Sequence, residues 1–453
     1  MKDRLRQPAA VVVLIAAAVL TYHRAVSAYF FDDDLQWLVG SWAFTPSNLW
    51  AFGQLTHFYR PVIDLYFALA TPLFHGSPVL FHLANIAIHT ANGVVLFALL
   101  SRLSGTRLYG FAAALFFVVQ PAGIDAVAWV GALAEIVGAL CGCLSVLWFL
   151  RWKETPDLRW RVLSCAAFAA ALLTHESSLV FLAVLPLVQW ASAIDSRGQK
   201  TGAATTTSSS RGTGSLSVRT PASALASRVR DWARDYAVYA CLAAAYLAID
   251  LTINSRNYVV REGHYAVGWH MIPNALRYVV SLYVGRHDLA NSVLTTVTIA
   301  GLLLFGNRRV RCATLWMLAA LLPFLPFTWA NTSRYLYQPA IGLSMLVAEA
   351  IVQLDGFLAA RVSQTGRSCL ATVLVAAVSL RFMFFAMQNV DRFAGRTEVY
   401  RHAAVTIRSQ HGDLPSHAVI VADPELKAAV LYPFANALVA WVYQDPTITL
   451  EPY

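Results

Sequence analysis

Three adjacent carboxylates at positions 32–34 are the residues in this chain best placed to carry out chemistry. Aromatic residues flank them on both sides, and they directly follow an apolar stretch, which holds them at a predicted membrane interface. Like charges this close repel one another and are costly at such a depth. A carboxylate there can act as a general base toward a hydroxyl group or take part in a metal site. We therefore favour a functional role for Asp32, Asp33 and Asp34 over a merely solvated loop.

Two arginines near the same predicted interface are candidate ligands of a phosphate group. Arg60 precedes Pro61, and Arg334 lies just before the tenth predicted span. The guanidinium presents a fixed fork of donors that suits phosphate oxygens. Simple interfacial snorkelling is the alternative for Arg60. The apolar stretch 63–74 after it is too short to span a membrane and is interrupted by Pro72, so it predicts an interfacial helix.

A polar stripe runs down the second predicted span. His82, Asn85, His89 and Asn92 recur at helical spacing and therefore share one helix face, which should point into a bundle. The two histidines lie two turns apart, roughly 10 Å along the axis, so one shared metal ion is not expected. Interhelical hydrogen bonding is the favoured interpretation. Other polar residues occur near the outer ends of spans: Asp125, Glu135, His175 and Glu176.

The composition indicates which elements must position these residues. The chain has 453 residues, of which 58% are hydrophobic and 13% charged, and its mean hydropathy is +0.54. A soluble chain has about 45–50% apolar and about 25% charged residues. Too few charges remain to cover a soluble exterior, which excludes a soluble enzyme, a fibrous protein and a disordered chain. We predict an all-α polytopic membrane protein.

Hydropathy predicts about eleven transmembrane helices, given that a span needs about 20 apolar residues. Most of the 34 basic residues fall in segments on the side of the N-terminus. This asymmetry places the N-terminus inside and the C-terminus outside, and it explains the net charge of +9 without a nucleic-acid partner. The predicted spans are 9–29, 78–100, 108–121, 130–150, 161–175, 177–192, 234–252, 289–306, 312–329, 335–353 and 369–390.

The predicted bundle comprises residues 1–390, and its first outer loop, 29–77, carries the acidic motif. Two segments depart from the composition of membrane helices. Residues 193–230 are rich in threonine, serine and glycine and cannot bury enough apolar surface to order themselves, which predicts a disordered inner loop. Residues 391–453 predict a small extracytoplasmic α/β tail. Its expected elements are a strand at 417–422, a helix at 424–443 and a strand at 447–450.

The motifs together resemble those of polytopic glycosyltransferases with the C-type fold. The resemblance is to the branch of protein O-mannosyltransferases, transmembrane-and-TPR mannosyltransferases and lipid A aminoarabinose transferases. Two features depart from that pattern: a His-Glu pair replaces the family's Lys-Glu pair, and no TPR array follows the last span. The motifs, in order, are Phe31-Asp32-Asp33-Asp34, Tyr59-Arg60-Pro61, Phe81-His82-Leu83-x-Asn85-x-x-x-His89, His175-Glu176 and Arg334-Tyr335-Leu336-Tyr337-x-Pro339.

This resemblance implies an enzyme that moves a sugar from a polyprenyl-phosphate carrier to an acceptor hydroxyl on the extracytoplasmic face. Direct attack on the anomeric carbon would invert its configuration. Asp33 is the first choice for the base, with Asp32 and Asp34 as rivals, and Arg60 and Arg334 would bind the donor phosphate. The residues expected to support the site are His82, Asn85, His89, His175, Glu176 and Tyr335.

The expected partners are the lipid-linked sugar, membrane lipids and an acceptor that is a protein, a lipid or a glycan. A divalent ion is compatible with the acids, but none is assigned. The expected location is a bacterial plasma membrane in preference to the endoplasmic reticulum. A transporter or flippase of lipid-linked glycans is the alternative; it predicts midplane charges and repeated halves. The sequence shows no convincing repeat and no Walker-type nucleotide loop. A polytopic scaffold would leave the acids and Arg60 unexplained.

Overall fold

The computed structural model describes residues 7–50, 58–192, 221–283, 285, 287–329 and 333–453. Most of the described residues are α-helical, and eleven of the helices among them correspond to the eleven predicted spans. They are α1 (Gln7–Tyr22), α4 (Pro78–Ser104), α5 (Arg107–Val118), α7 (Leu133–Glu154), α8 (Leu158–Leu172), α9 (Val180–Ser192), α10 (Pro221–Asn254), α13 (Leu289–Phe305), α14 (Arg308–Leu321), α15 (Tyr337–Leu358) and α16 (Gln364–His411).

Within the described residues, six segments are long and apolar enough to cross a membrane. The shorter helices pack among them and complete an integral membrane bundle, as predicted. Helix α4 contacts α1, α5 and α7, and α15 contacts α5, α14 and α16. The six segments are Gln7–Ser27, Pro78–Ser104, Val130–Glu154, Trp232–Ile253, Ser333–Leu358 and Gln364–His411.

Seven shorter helices lie between the spans or after them. A proline at the first turn of α3 favours helix initiation there. The shorter helices are α2 (Asp34–Ser41), α3 (Pro61–Leu73), α6 (Asp125–Ala128), α11 (Tyr258–Arg261), α12 (Met271–Tyr283), α17 (Pro424–Ala429) and α18 (Tyr432–Tyr443). Helix α3 is the element predicted to be interfacial.

The largest differences from the predicted helix boundaries occur at three places. Helix α14 ends at Leu321, because two prolines follow within five residues, so 322–329 forms a 3₁₀ turn and a loop. Helix α10 already begins at Pro221, so the end of the predicted disordered loop is helical; its residues 193–220 lie outside the described part. Helix α16 continues beyond residue 390 to His411, because helix propensity does not end where hydropathy falls.

The C-terminal segment contains the small α/β arrangement expected there. Strand β1 (Val419–Ile420) pairs in parallel with β2 (Thr449–Leu450), and α17 and α18 connect them. The expected single helix is divided because Val430 and Leu431 are extended. The Trp441 ring of α18 stacks on Trp42, with centroids 5.7 Å apart, so this segment packs against the end of α2.

Candidate functional site

A cavity of about 580 Å³ lies beside α2, α3 and the start of α7. Polar and aromatic side chains from distant parts of the chain form its wall. It is therefore a concave site at which charged groups converge, as ligand sites commonly are. The predicted site residues that line it are Asp32, Asp33, Arg60, His175, Glu176, Arg334 and Tyr335.

Asp34 is buried, and hydrogen bonds engage both of its oxygens. The backbone N–H of Phe31 donates to Oδ2 at 2.8 Å, and the backbone N–H of Gly131 donates to Oδ1. Burial raises the pKa of Asp34 well above its usual range, and the neighbouring Asp33 raises it further. These bonds fasten the acidic loop to the start of α7, so the structure gives Asp34 a supporting position rather than one in the cavity wall.

Asp32 adopts a left-handed backbone conformation with φ of +46°. Aspartate tolerates this region better than most residues, although it still costs free energy. The turn directs Oδ1 of Asp32 to the hydroxyl of Tyr400 on α16, which donates a hydrogen bond to it. Burial raises the pKa of Asp32, and the Tyr400 hydrogen bond opposes that rise. One oxygen of this carboxylate is thus already occupied.

Asp33 differs from both neighbours because its buried Oδ1 has no hydrogen-bond partner in the described structure. Its Oδ2 lies 3.9 Å from Nη1 of Arg334, a loose ion pair. Burial raises the pKa of Asp33, and the positive charge of Arg334 partly offsets the rise. A Cβ atom on Gly131 would lie 2.6 Å from Oδ1 of Asp33, so glycine is needed to let α7 approach the acids.

The two candidate phosphate ligands have different surroundings. The Arg334 guanidinium lies 4.5 Å above the Trp129 ring, which holds it flat against the cavity wall. Arg60 donates from Nη2 and Nε to the Glu176 carboxylate at 2.7 and 3.2 Å. Nη1 donates to no acceptor among the described residues, so it is left for another acceptor, as is the second N–H of Nη2. Arg334 is the cation nearer to Asp33 and the less committed of the two.

His175 has a defined tautomer. Its Nδ1 accepts the backbone N–H of Ser177 at 3.1 Å, so the ring proton must be on Nε2. Nε2 faces two carboxylates, 3.4 Å from Glu135 and 3.7 Å from Glu176. The ring thus presents a neutral donor between two acids.

The polar stripe of α4 points elsewhere. Asn85 donates to the carbonyls of Val127 and Trp129 at 3.2 and 3.1 Å. His89 contacts the Tyr337 hydroxyl at 2.8 Å through Nδ1, and the carbonyl oxygen of Val118 lies 3.0 Å from Nε2. His82 is also buried, and none of the three is among the described residues that line the cavity. Asn85 and His89 therefore join α4 to neighbouring segments, and their supporting role in the site stays a prediction.

Four residues that the sequence analysis gave no role contribute to the site. Glu135, Asp64 and Asn257 line the cavity, and Tyr400 binds Asp32. Asp64 lies one helical turn after Arg60, a spacing that could have indicated it. Burial raises the pKa of Asp64 to about 6, against the opposing charge of Arg60. Asn257 and Tyr400 occur in no motif, so only the fold reveals them.

Across the described ranges, no group of three or more His, Cys, Asp or Glu side chains is arranged to hold a metal ion. Hydrogen bonds occupy both oxygens of Asp34 and one of Asp32, which reduces the ligands that the acidic loop can offer. No chemical step is therefore derived through a divalent ion.

The fold is similar to that of a solved oligosaccharyltransferase from Archaeoglobus fulgidus, crystallised with a tethered acceptor peptide containing an NVT sequon. The TM-score is 0.52 at 11% sequence identity, and the match covers 98% of this chain and 63% of that one. At this identity the similarity concerns the fold. It confirms the C-type membrane glycosyltransferase fold that the motifs predicted.

The sequence comparisons agree with this fold. The proteins named Protein O-mannosyl-transferase TMTC1 from mouse and human are 29% and 28% identical to this chain over 166 residues. The match covers 33% of this chain but only 17% and 18% of those proteins, so the chain corresponds to less than a fifth of their length. No protein-family model matches. Both comparisons support the resemblance to C-type membrane glycosyltransferases.

Proposed function

We propose that this protein is a membrane glycosyltransferase that moves a sugar from a polyprenyl-phosphate carrier to an acceptor hydroxyl. The observation that carries the proposal is the free, buried Oδ1 of Asp33 in a cavity that also presents Arg334. A base and a cation are the two groups that this transfer requires. Hydroxyl groups of proteins are the first acceptors to test, because the similar TMTC1 proteins are named as protein O-mannosyl-transferases.

The proposed reaction is one displacement at the anomeric carbon. Asp33 removes the proton of the acceptor hydroxyl as its oxygen attacks the sugar, and the bond from the anomeric carbon to the phosphate oxygen breaks. The leaving phosphate keeps the bonding electron pair, and Arg334 stabilises its growing charge, with Nη1 of Arg60 as a second contact. Attack opposite the leaving group inverts the anomeric carbon.

We also propose that the cavity opens on the extracytoplasmic side. The distribution of basic residues supports this orientation, because it favours a cytoplasmic N-terminus. Reporter fusions at residue 210 and after Tyr453 should then report opposite sides of the membrane. The same side for both would contradict this topology. That result would not contradict the transfer reaction proposed for the cavity.

The function is tested by reconstitution. Purified protein in lipid nanodiscs receives polyprenyl-phosphate mannose, glucose or galactose and a serine- and threonine-containing peptide, and mass spectrometry detects the product. We expect a glycosylated peptide and free polyprenyl phosphate in equal amounts. In parallel, glycolipids, glycans and envelope proteins are compared between cells with and without the gene. No transfer in vitro, together with unchanged glycoconjugates in the cells, would overturn the proposal.

A further inference from the structure

One wall of the cavity contains a carboxylate with an unused oxygen. Glu135, in the first turn of α7, is 2% exposed, and its Oε1 forms no hydrogen bond in the described structure. The Ser177 hydroxyl reaches Oε2 only at 3.5 Å, and Nε2 of His175 lies 3.4 Å from Oε1. Both contacts are long. A buried carboxylate with such weak partners is costly unless a ligand or water satisfies it.

The same cavity also contains a buried hydrogen-bond donor that has no partner among the described residues. Asn257 lies in the turn between α10 and α11 and is fully buried. Its Oδ1 accepts the backbone N–H of Val259 at 2.9 Å, which fixes the orientation of the amide. Its Nδ2 has no hydrogen-bond partner among the described residues. The proposed transfer reaction uses neither Asn257 nor Glu135.

The chemistry of these two groups limits what can satisfy them. Glu135 offers an acceptor and Asn257 a donor, so a ligand with groups that both donate and accept meets both needs. Hydroxyl groups do so. Phe327 and Trp329, whose ring centroids are 4.9 Å apart, line the same cavity and add apolar surface to it.

We propose that Glu135 and Asn257 form the subsite that recognises hydroxyl groups of the transferred sugar. This inference rests on the proposed function and adds to it: Arg334 holds the carrier phosphate, whereas Glu135 and Asn257 discriminate one sugar from another.

The test compares the affinity for a sugar-bearing donor with the affinity for the bare carrier. The dissociation constants of polyprenyl-phosphate mannose, glucose, galactose and polyprenyl phosphate alone are measured in nanodiscs by calorimetry. Glu135→Gln and Asn257→Asp nearly preserve volume, and Asn257→Asp keeps the oxygen that accepts from Val259. We expect the wild type to prefer one sugar-bearing donor to the bare carrier. Each variant should lose about tenfold or more of that preference, while affinity for bare polyprenyl phosphate changes less.

Matched controls are the same chemical changes outside the cavity lining, Glu398→Gln at an exposed position and Asn291→Asp at a half-buried one, and both should retain the preference. A second measurement does not depend on variants: the wild type receives deoxy analogues of its preferred donor, and removal of one hydroxyl should cost as much affinity as Asn257→Asp. If the wild type prefers the sugar and both variants and deoxy donors keep that preference, the subsite is refuted but the proposed function survives. Equal binding of bare and sugar-bearing carriers likewise refutes only the subsite. A wild type that binds none of the four probes refutes both.

Discussion

The acidic loop at residues 31–34 and the polar stripe of α4 differ in where their buried, unpaired polar atoms lie. In the stripe, Asn85 and His89 direct their nitrogens to backbone carbonyls or to the Tyr337 hydroxyl on neighbouring helices. In the loop, Asp33 keeps an oxygen buried without a partner. The ring nitrogens of His82 and Oδ1 of Asn85 and Asn92 also have no hydrogen-bond partner in the described structure, but these residues do not line the cavity, whereas Asp33 does.

This difference separates two roles that residue type alone does not distinguish. Polar groups within a membrane must be satisfied somewhere, and most are satisfied by another helix. A group left unsatisfied next to a cavity is better explained by a ligand. The same criterion divides the loop itself, since Asp34 is fastened to backbone N–H groups and Asp33 is not. Substitutions in each region can therefore test this distinction.

The largest expected effect is that of Asp33→Asn. The amide preserves the volume but cannot accept the proton, and general-base assistance is typically worth 10²–10⁴-fold in rate. We expect kcat for sugar transfer to fall by that range while donor binding persists. Asp413→Asn, at an exposed carboxylate, is the matched control. Wild-type turnover in Asp33→Asn and in the Asp32→Asn/Asp34→Asn double variant would eliminate the carboxylate-base mechanism.

Arg334→Ala should have the next largest effect. A charge-assisted hydrogen bond contributes about 1.5–3 kcal/mol, so affinity for polyprenyl phosphate should fall roughly ten- to a hundredfold. Lysine should rescue only part of it, because it loses the fork of donors. Arg60→Ala should weaken binding less, since Glu176 occupies two of its nitrogens. Unchanged carrier affinity in both alanine variants would make these arginines interfacial anchors.

Gly131→Ala tests how closely α7 must approach the acidic loop. The added Cβ would lie 2.6 and 2.9 Å from oxygens of Asp33 and Asp34, so the loop has to move. Overpacking of this kind typically costs about 1–3 kcal/mol, and we expect a comparable loss of thermal stability and of transfer rate. Gly301→Ala is the control, because its Cβ would meet no atom within 4 Å. Equal behaviour of the two variants would contradict this account.

Much of the fold could be predicted from the sequence, because hydropathy and span length limit a membrane chain to helices of defined extent. The resemblance also identified Asp33 and Arg334 as candidates. It could not assign Asp34 a supporting position, since that depends on the N–H of Gly131, far along the chain. Tyr400 could not be predicted either, because α16 continues past its apolar part and returns to the loop. Contacts between distant segments carry no local sequence signal.

The pH dependence of transfer follows from the surroundings of Asp33. A base must be ionised, and burial raises the pKa of Asp33 above that of an ordinary aspartate. The rate should therefore fall as the pH is lowered through this raised pKa, by up to about tenfold per pH unit below it. Arg334→Lys should keep the inflection nearly in place, whereas Arg334→Ala should move it to higher pH, because a cation that favours the carboxylate is lost. An inflection in kcat/KM that is unaffected by Arg334→Ala would assign the titration to another group.

The smallest effect on catalysis is expected in the polar stripe. Asn85→Ala removes the donor that holds the carbonyls of Val127 and Trp129, and an unsatisfied buried group costs about 1–3 kcal/mol. We expect the midpoint of thermal unfolding in detergent to fall, while the folded fraction keeps a kcat/KM within a few-fold of wild type. His89→Phe, which removes the contacts to Tyr337 and Val118, should behave alike. Asp33→Asn should instead leave thermal stability nearly unchanged and abolish most turnover. Substitutions in the two regions should therefore have opposite effects on stability and on turnover. A loss of turnover in Asn85→Ala without a loss of stability would place the stripe in the catalytic machinery and remove the distinction.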